Sequence, residues 1–165
     1  ELFLQSGIRY PNHLWYEDLY TTENLLLEAG SVVGLELPLY RYLLRSGSIM
    51  RGRDPSRNGE ILLALEQVLS WYRRRGCFAQ FQEELCGMTL QHISYACYRV
   101  LRQDPQHPLL PQLLAYLTQN FPHYTKSKYY RCLTRSQRIV LFFLRHRQYR
   151  LPALLFSWKE KGNSH

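Results

Sequence analysis

The sequence has no apolar run near the roughly 18 residues that a membrane-spanning helix needs, and no segment with the pattern of a signal peptide. It has no internal repeat and no low-complexity tract. Its cysteines show neither C-x-x-C spacing nor a histidine at the spacing of a metal ligand, so a zinc site is not expected. We expect four buried free thiols in a reducing cytoplasm, at Cys77, Cys86, Cys97 and Cys132.

The composition is that of a folded globular chain. Its 165 residues are 45% hydrophobic and 21% charged, which is typical of a single packed domain or part of one. The first residue is Glu1 instead of Met. From this we expect the chain to be a piece of a longer protein.

The charge is distributed unevenly along the chain. Residues 1–121 contain 11 basic and 12 acidic side chains, a net charge of −1. Residues 122–165 contain 10 basic side chains and one acidic side chain, a net charge of +9. This asymmetry indicates an anionic partner surface for the C-terminal part, either a membrane or a nucleic acid.

The hydrophobic pattern predicts a mainly α fold with a short α/β segment near the start. Residues 31–37 and 39–44 are short, apolar and partly β-branched, which predicts two strands. Pro55 after Asp54 predicts a helix start, and Thr134 predicts a helix cap. Helical spacing predicts helices at about 19–29, 55–76, 78–102, 109–120, 137–147 and 151–161. We divide the chain into an α/β part, 1–53, and a C-terminal helical bundle, 54–165.

The adjacent carboxylates of Glu17 and Asp18 stand at the predicted start of the first helix. Alone, such a pair is a weak signal, because the helix dipole favours negative charge at that end. Its surroundings make it stronger. Residues 7–11 read Gly-Ile-Arg-Tyr-Pro, residues 15–19 read Trp-Tyr-Glu-Asp-Leu, and residues 38–49 read Pro-Leu-Tyr-Arg-Tyr-Leu-Leu-Arg-Ser-Gly-Ser-Ile.

This order resembles the acceptor-side segment of inverting family-2 glycosyltransferases of the GT-A fold, over roughly residues 2–50. Those enzymes show a G-[IV]-x-[FY]-P segment, a Y-E-D acidic pair and a P-L-Y-x-Y-x-x-R-x-G-S loop. The chain departs from the pattern at Leu43, where many members carry a basic residue. The resemblance implies that 1–53 is the acceptor-side end of a catalytic domain and that 54–165 is the variable helical extension.

The resemblance implies a role for each matching residue. Asp18 is the expected general base, which takes the proton from an acceptor hydroxyl as the glycosidic bond forms. Glu17 is expected to orient the acceptor or Asp18 itself. Arg45 and Ser48 are expected to contact the leaving diphosphate, since a guanidinium and a hydroxyl match phosphate oxygens.

The two aromatic residues before the acidic pair have two interpretations. Trp15 and Tyr16 are candidates for stacking on a sugar ring, because aromatic faces suit the C–H-rich faces of sugars. Packing in the core is the equal alternative for each of them.

The family binds a divalent cation, Mg²⁺ or Mn²⁺, through a D-x-D motif in a nucleotide-binding half. This chain has neither D-x-D nor a parallel βαβ pattern, so the metal ligands are not expected here. The resemblance implies a nucleotide-sugar donor and a saccharide or lipid-linked acceptor for the full-length enzyme, in cell-surface polysaccharide synthesis. The isolated chain is expected to be inactive and cytoplasmic, peripheral to the inner face of the cell membrane.

Two other functions compete with this one, and neither includes catalysis. Arg73, Arg74 and Arg75 and the high isoelectric point are compatible with a basic helical module that binds nucleic acid, but no recognition motif supports it. A scaffold bundle is the other alternative. We do not expect a nucleic acid partner.

Residues 134–161 combine basic side chains with Leu, Phe and Trp. This composition is typical of a helix that docks on an anionic membrane surface. The alternative is that the apolar face closes the bundle and the arginines are solvated, since both faces have the same periodicity.

Overall fold

The computed structural model describes residues 1–41, 43 and 55–148. This part of the chain is mainly helical, as predicted. It contains α1 (Leu2–Ser6), α2 (Glu17–Glu28), α3 (Glu60–Arg74), α4 (Gln82–Gln103), α5 (Leu109–Asn120), α6 (Lys128–Cys132) and α7 (Arg135–Arg145). Two 3₁₀ helices, Pro55–Gly59 and Tyr124–Lys126, precede α3 and α6.

Five of these helices were predicted from hydrophobic periodicity, and α5 has the predicted bounds. The predicted cap of α7 is confirmed: the Thr134 hydroxyl accepts a hydrogen bond from the Gln137 amide, and the Gln137 side chain accepts one from the Thr134 amide. Helices α1 and α6 were not predicted, because five residues are too few for a period to show. The predicted cap at Asp54 and the predicted helix at 151–161 lie outside the described residues.

The predicted α/β segment stays a prediction, and the described residues show no strand at 31–37. These residues have no regular secondary structure, and the described part of the chain contains no strand with which they could pair. A strand depends on a partner for its backbone hydrogen bonds, which an apolar sequence alone does not supply. Val33, Leu35 and Leu37 are 79%, 64% and 67% exposed. The second predicted strand, 39–44, lies partly outside the described residues.

Helices α2 and α3 run parallel and side by side. Trp15 and Tyr16, which precede α2, contact Glu60 and Asn58 at the start of α3. At the other end, Glu28 of α2 accepts hydrogen bonds from side chains near the end of α3, those of Trp71 and Arg75. The two helix N-termini therefore lie at the same end of the molecule.

Helices α3 and α5 both pack against α4, which contacts more of the other elements than any other helix described. The turn between α3 and α4 is closed by an edge-on contact of Tyr72 with Phe81, so α4 runs back along α3. Helix α5 returns parallel to α3: it begins near Gly59 and ends where the Arg73 guanidinium donates to the side-chain oxygen Oδ1 of Asn120 at 2.6 Å. The fully buried core consists mainly of Ile61, Leu65, Val68, Leu69, Leu90, Ile93, Cys97, Val100, Leu101, Leu110, Leu113 and Leu117.

Helix α7 lies against α4 and α5, and its apolar face closes the bundle. Val140, Leu141 and Leu144 on this face are at most 1% exposed. Of the two interpretations of the 134–161 segment, bundle closure therefore applies to these three residues. No helix among the described residues is long and apolar enough to cross a bilayer.

The four cysteines are free thiols, as expected, but they are not all buried. Cys86 and Cys97 face the core from α4, whereas Cys77 is half-buried and Cys132 is exposed. Burial raises the pKa of the Cys86 thiol to about 11 and also raises that of Cys97. Both core thiols are therefore protonated and unreactive at neutral pH.

Candidate active site

The acidic pair follows a loop that is fixed to the start of α3. The Trp15 amide donates a hydrogen bond to Glu60 Oε2 at 2.6 Å. The other carboxylate oxygen of Glu60 accepts from Arg57 Nε at 2.8 Å, and Arg57 also donates to the His13 carbonyl at 3.2 Å. The Arg57 guanidinium lies over the Trp15 ring, 4.7 Å from its centroid. A carboxylate, a guanidinium and an indole thus hold the entry to α2.

Two residues in this loop have left-handed backbone conformations that are uncommon outside glycine. His13 has φ of 57° and Tyr16, the N-cap of α2, has φ of 67°. Each such residue costs on the order of 1 kcal/mol, so surrounding contacts must hold it. Two such contacts are present. The Trp15 side chain is buried, and the Tyr16 hydroxyl donates a hydrogen bond to Asn58 Oδ1 at 3.4 Å. Strain of this kind occurs often at functional sites.

Glu17 and Asp18 form the first turn of α2, and both are exposed. Asp18 Oδ1 accepts a hydrogen bond from the Leu19 amide at 2.8 Å, which fixes the orientation of its carboxylate. Successive helical positions are about 100° apart, so the two carboxylates point to different sides of α2. The pair is accessible to a large ligand in solution.

The Asp18 charge acts on a polar face of α4. His92, Tyr95 and Arg99 follow the spacing of one face of α4; Asp18 acts electrostatically on His92, and Tyr95 and Arg99 act on Tyr16. Burial lowers the pKa of His92, and the Asp18 carboxylate partly offsets this effect. His92 is therefore neutral at neutral pH and able to accept or donate a proton.

Tyr16 interacts both with the residues at the start of α3 and with the polar face of α4. Burial raises the pKa of its phenol, and the Arg99 guanidinium acts in the opposite direction, so Tyr16 is a neutral donor. Glu60 and Asp18 also raise this pKa, which means that both carboxylates are close enough to affect the phenol.

An open groove of about 440 Å³ lies on another side of α2. Its walls come from the loop before α2, from Tyr20 and from the outer face of α3, with polar side chains at Asn12, Gln67 and Ser70. Neither Glu17 nor Asp18 is among the residues that line it. The structure thus presents the acidic pair on an exposed helix end instead of inside this groove.

The remaining candidate residues have different positions. Trp15 is only 6% exposed and Arg57 covers one of its faces, so stacking on a sugar would require Arg57 to move. Tyr16 is half-buried and anchored by Asn58. Arg45 and Ser48 lie outside the described residues, and their expected diphosphate contacts stay predictions.

Sequence reasoning missed the partners that surround the acidic pair. Arg57, Asn58 and Glu60 come about 40 residues later in the chain, and no local pattern connects them with Trp15 or Tyr16. The spacing of His92 and Arg99 on one face of α4 was visible in the sequence, but the element that this face approaches was not.

Within residues 1–41, 43 and 55–148, no three His, Cys, Asp or Glu side chains are grouped so as to hold a metal ion. The resemblance places the ligands of the divalent cation in another part of the protein, and we assign no catalytic step to a metal here.

The three consecutive arginines at the end of α3 are engaged within the protein. Arg73 donates to Asn120 and lies over Phe78, with its guanidinium 4.8 Å from the ring centroid. Arg75 makes a two-pronged ion pair with Glu28 at 2.6 and 2.7 Å. These contacts leave only Arg74, which lies over Trp71, for a phosphate backbone. They do not favour a nucleic acid interface at this end of α3.

Comparisons of the chain with protein-family models, with curated proteins and with solved structures found no match.

Proposed function

We propose that this chain is the acceptor-side part of an inverting glycosyltransferase, with Asp18 as general base. The proposal rests on the motif resemblance of residues 7–48 and on one observation from the fold. That observation is an accessible carboxylate pair at a helix start whose loop is braced by Glu60, Arg57 and Asn58. A general base has to be both accessible and held in place, because misplacement of a reacting group slows proton transfer.

Asp18 is favoured over Glu17 by its surroundings. Its carboxylate is oriented by the Leu19 amide, and its charge acts on His92, a neutral imidazole that is proposed to take the proton onward. The acceptor hydroxyl gives its proton to Asp18 and attacks the anomeric carbon from the face opposite the leaving nucleotide. The bond to the diphosphate breaks and the anomeric centre is inverted, which needs only one carboxylate. Glu17, about 100° away on the helix, is then free to orient a second hydroxyl of the acceptor.

The donor in this proposal is a nucleotide sugar bound by a separate half of the full-length protein. The acceptor is a saccharide or a lipid-linked saccharide, and the product belongs to a cell-surface polysaccharide. A divalent cation, Mg²⁺ or Mn²⁺, supplies charge neutralisation on the leaving diphosphate when bound to that other half. Within this chain, Arg45 and Ser48 are the residues proposed to contact the diphosphate.

The decisive experiment is sugar transfer by the full-length protein, with labelled UDP-, GDP- and dTDP-sugars and acceptors extracted from host membranes. Asp18→Asn keeps the size of the side chain and removes the base, so we expect turnover to fall by roughly 10²- to 10⁴-fold. Donor affinity should be little changed. Glu17→Gln should cost less, and Arg45→Ala should weaken both donor affinity and turnover.

Thr22→Ser is the matched control, since Thr22 is exposed on the same helix. It should leave the rate within about twofold. If Glu17→Gln costs more than Asp18→Asn, the two roles are reversed. If neither change slows transfer, α2 does not hold the base and the proposal fails.

The isolated chain provides an independent test. It should bind no UDP-, GDP- or dTDP-sugar in calorimetry with Mn²⁺ or Mg²⁺ present. Binding tighter than about 100 μM, which is roughly −5.5 kcal/mol, would contradict the assignment of the donor site to another part of the protein.

A further inference from the structure

Helix α7 has a second face, opposite to the one that closes the bundle. Arg135, Arg138, Phe142 and Arg145 recur on this face at helical spacing, and Ile139 flanks them. Phe142 is 56% exposed and Ile139 is 38% exposed. The face runs about 15 Å along the helix, since ten residues separate Arg135 from Arg145. We call these five residues the outer face of α7.

The chain segment that contains this face carries charge of one sign. Residues 122–148 contain seven basic side chains and no acidic side chain. Lys128 is paired with Glu84 of α4, at 3.1 Å. The others include the three arginines of the outer face, with Arg131 and Arg147 exposed nearby. The outer face therefore has apolar side chains at its centre and arginines around them. This arrangement is complementary to a surface that carries negative charge above an apolar layer.

We propose that the outer face of α7 docks on an anionic lipid bilayer. Phe142 and Ile139 enter the headgroup region, and Arg135, Arg138 and Arg145 bind lipid phosphates around them. The inference goes beyond the proposed glycosyl transfer, because it concerns only where the protein binds. It places residues 135–145 parallel to the membrane plane, with Val140, Leu141 and Leu144 still in the core.

A bilayer fits this face better than a nucleic acid does. A phosphate backbone attracts arginines, but it offers no apolar layer for an exposed phenylalanine and isoleucine that stand between them. Stacking on unpaired bases would use Phe142, yet the His146 ring already lies against it with centroids 4.6 Å apart. Each basic group near an anionic membrane contributes roughly fivefold in affinity, so three arginines with one inserted aromatic give measurable, reversible binding.

The test is co-sedimentation of the 165-residue chain with vesicles of phosphatidylcholine alone or mixed with phosphatidylglycerol. We expect retention on the mixed vesicles and its loss in high salt, which screens the arginines. The double variant Arg138→Glu/Arg145→Glu should lower the affinity by at least roughly 20-fold, as expected from the loss of two basic contacts. Phe142→Ser, at a position that is 56% exposed, should weaken vesicle binding even at low salt, because it removes the inserted ring.

The control variant is Arg41→Glu/Arg74→Glu, which changes the net charge equally at two exposed positions outside α7. It should bind within about twofold of the parent chain. An equal loss in this variant, or equal retention of the parent chain on phosphatidylcholine alone, would overturn the proposal. The proposal would also be overturned if the parent chain bound single-stranded RNA tightly and did not bind vesicles, and if Arg138→Glu/Arg145→Glu abolished the RNA binding. Circular dichroism of each variant verifies that its helix content equals that of the parent chain.

Discussion

The Trp15 amide and the Glu60 carboxylate, 2.6 Å apart, join the entry of α2 to the start of α3 across 45 positions of sequence. The same carboxylate holds Arg57, whose guanidinium covers the Trp15 ring. One acidic side chain, 23% exposed, therefore fixes both the backbone and the aromatic side chain that precede the acidic pair. The position of Asp18 depends on a residue that does not itself take part in the proposed reaction.

We expect Glu60→Ala to destabilise the chain by about 1–3 kcal/mol, because it leaves the Trp15 amide without its acceptor and Arg57 without its ion pair. Glu60→Gln keeps an acceptor and should cost less. The free energy of unfolding in urea measures both effects. Glu36→Ala, at an exposed position, is the control and should remain within about 0.5 kcal/mol of the parent chain. Equal stability of Glu60→Ala and Glu36→Ala would show that the brace is not needed.

The pKa of His92 reports directly on Asp18. Asp18→Asn removes a negative charge that raises this pKa, so the pKa should fall further below its usual value. Glu17→Gln should shift it less, since Glu17 is not among the groups that act on His92. Titration of the imidazole ring protons by NMR measures both shifts. An unchanged His92 pKa in Asp18→Asn would show that the two side chains do not interact, and would contradict the proposed proton relay.

The burial of His92 also makes stability depend on pH. Its pKa is lowered in the folded state, so the unfolded chain binds the proton first as the pH falls. The contribution of this histidine is complete above about pH 6.5 and is lost as the pH falls from there to the folded-state pKa. Urea unfolding of the parent chain and of His92→Gln between pH 7 and pH 5 should show a shallower decline in the variant. Parallel curves would exclude His92 as the source.

Gly87 allows α4 and α6 to approach closely. A Cβ atom at this position would lie 2.5 Å from Cγ of Tyr129 and 3.0 Å from its Cβ. We expect Gly87→Ala to cost about 1–3 kcal/mol through overpacking, although alanine is the better helix former. Gly30→Ala, where no atom lies within 4 Å, is the control and should be neutral. Adding Tyr129→Ala to Gly87→Ala should recover part of the loss, and a further loss instead would contradict the steric explanation.

The sequence was sufficient to predict the positions of those helices that are long enough for an apolar pattern to repeat. The α5 pattern, with Leu110, Leu113 and Leu117 on one face, gives its bounds directly, and Thr134 marks the start of α7. At residues 31–37 the same kind of reasoning predicts a strand, which stays a prediction. Val32 and Val33 have high strand propensity, but the described residues contain no strand for them to join. Intrinsic preference does not reveal whether a partner exists.

The candidate site was only partly predictable for a similar reason. Glu17 and Asp18 were recognised from a local motif, and their place at a helix start follows from sequence. Their surroundings arise from packing between distant elements, which joins Glu60 to the Trp15 amide and brings the Asp18 charge to act on His92. Arg45 and Ser48 remain predictions, since they lie outside the described residues.

The parallel arrangement of α2 and α3 has an electrostatic consequence. Each helix carries about half a positive charge at its N-terminus, and in antiparallel neighbours these would lie beside negative ends. Here the two positive ends add at one place, and the acidic residues at that place are Glu17, Asp18 and Glu60. Neutralising these three carboxylates together would therefore leave two unopposed dipoles side by side, and would destabilise the α2–α3 pair by more than any one of the changes alone.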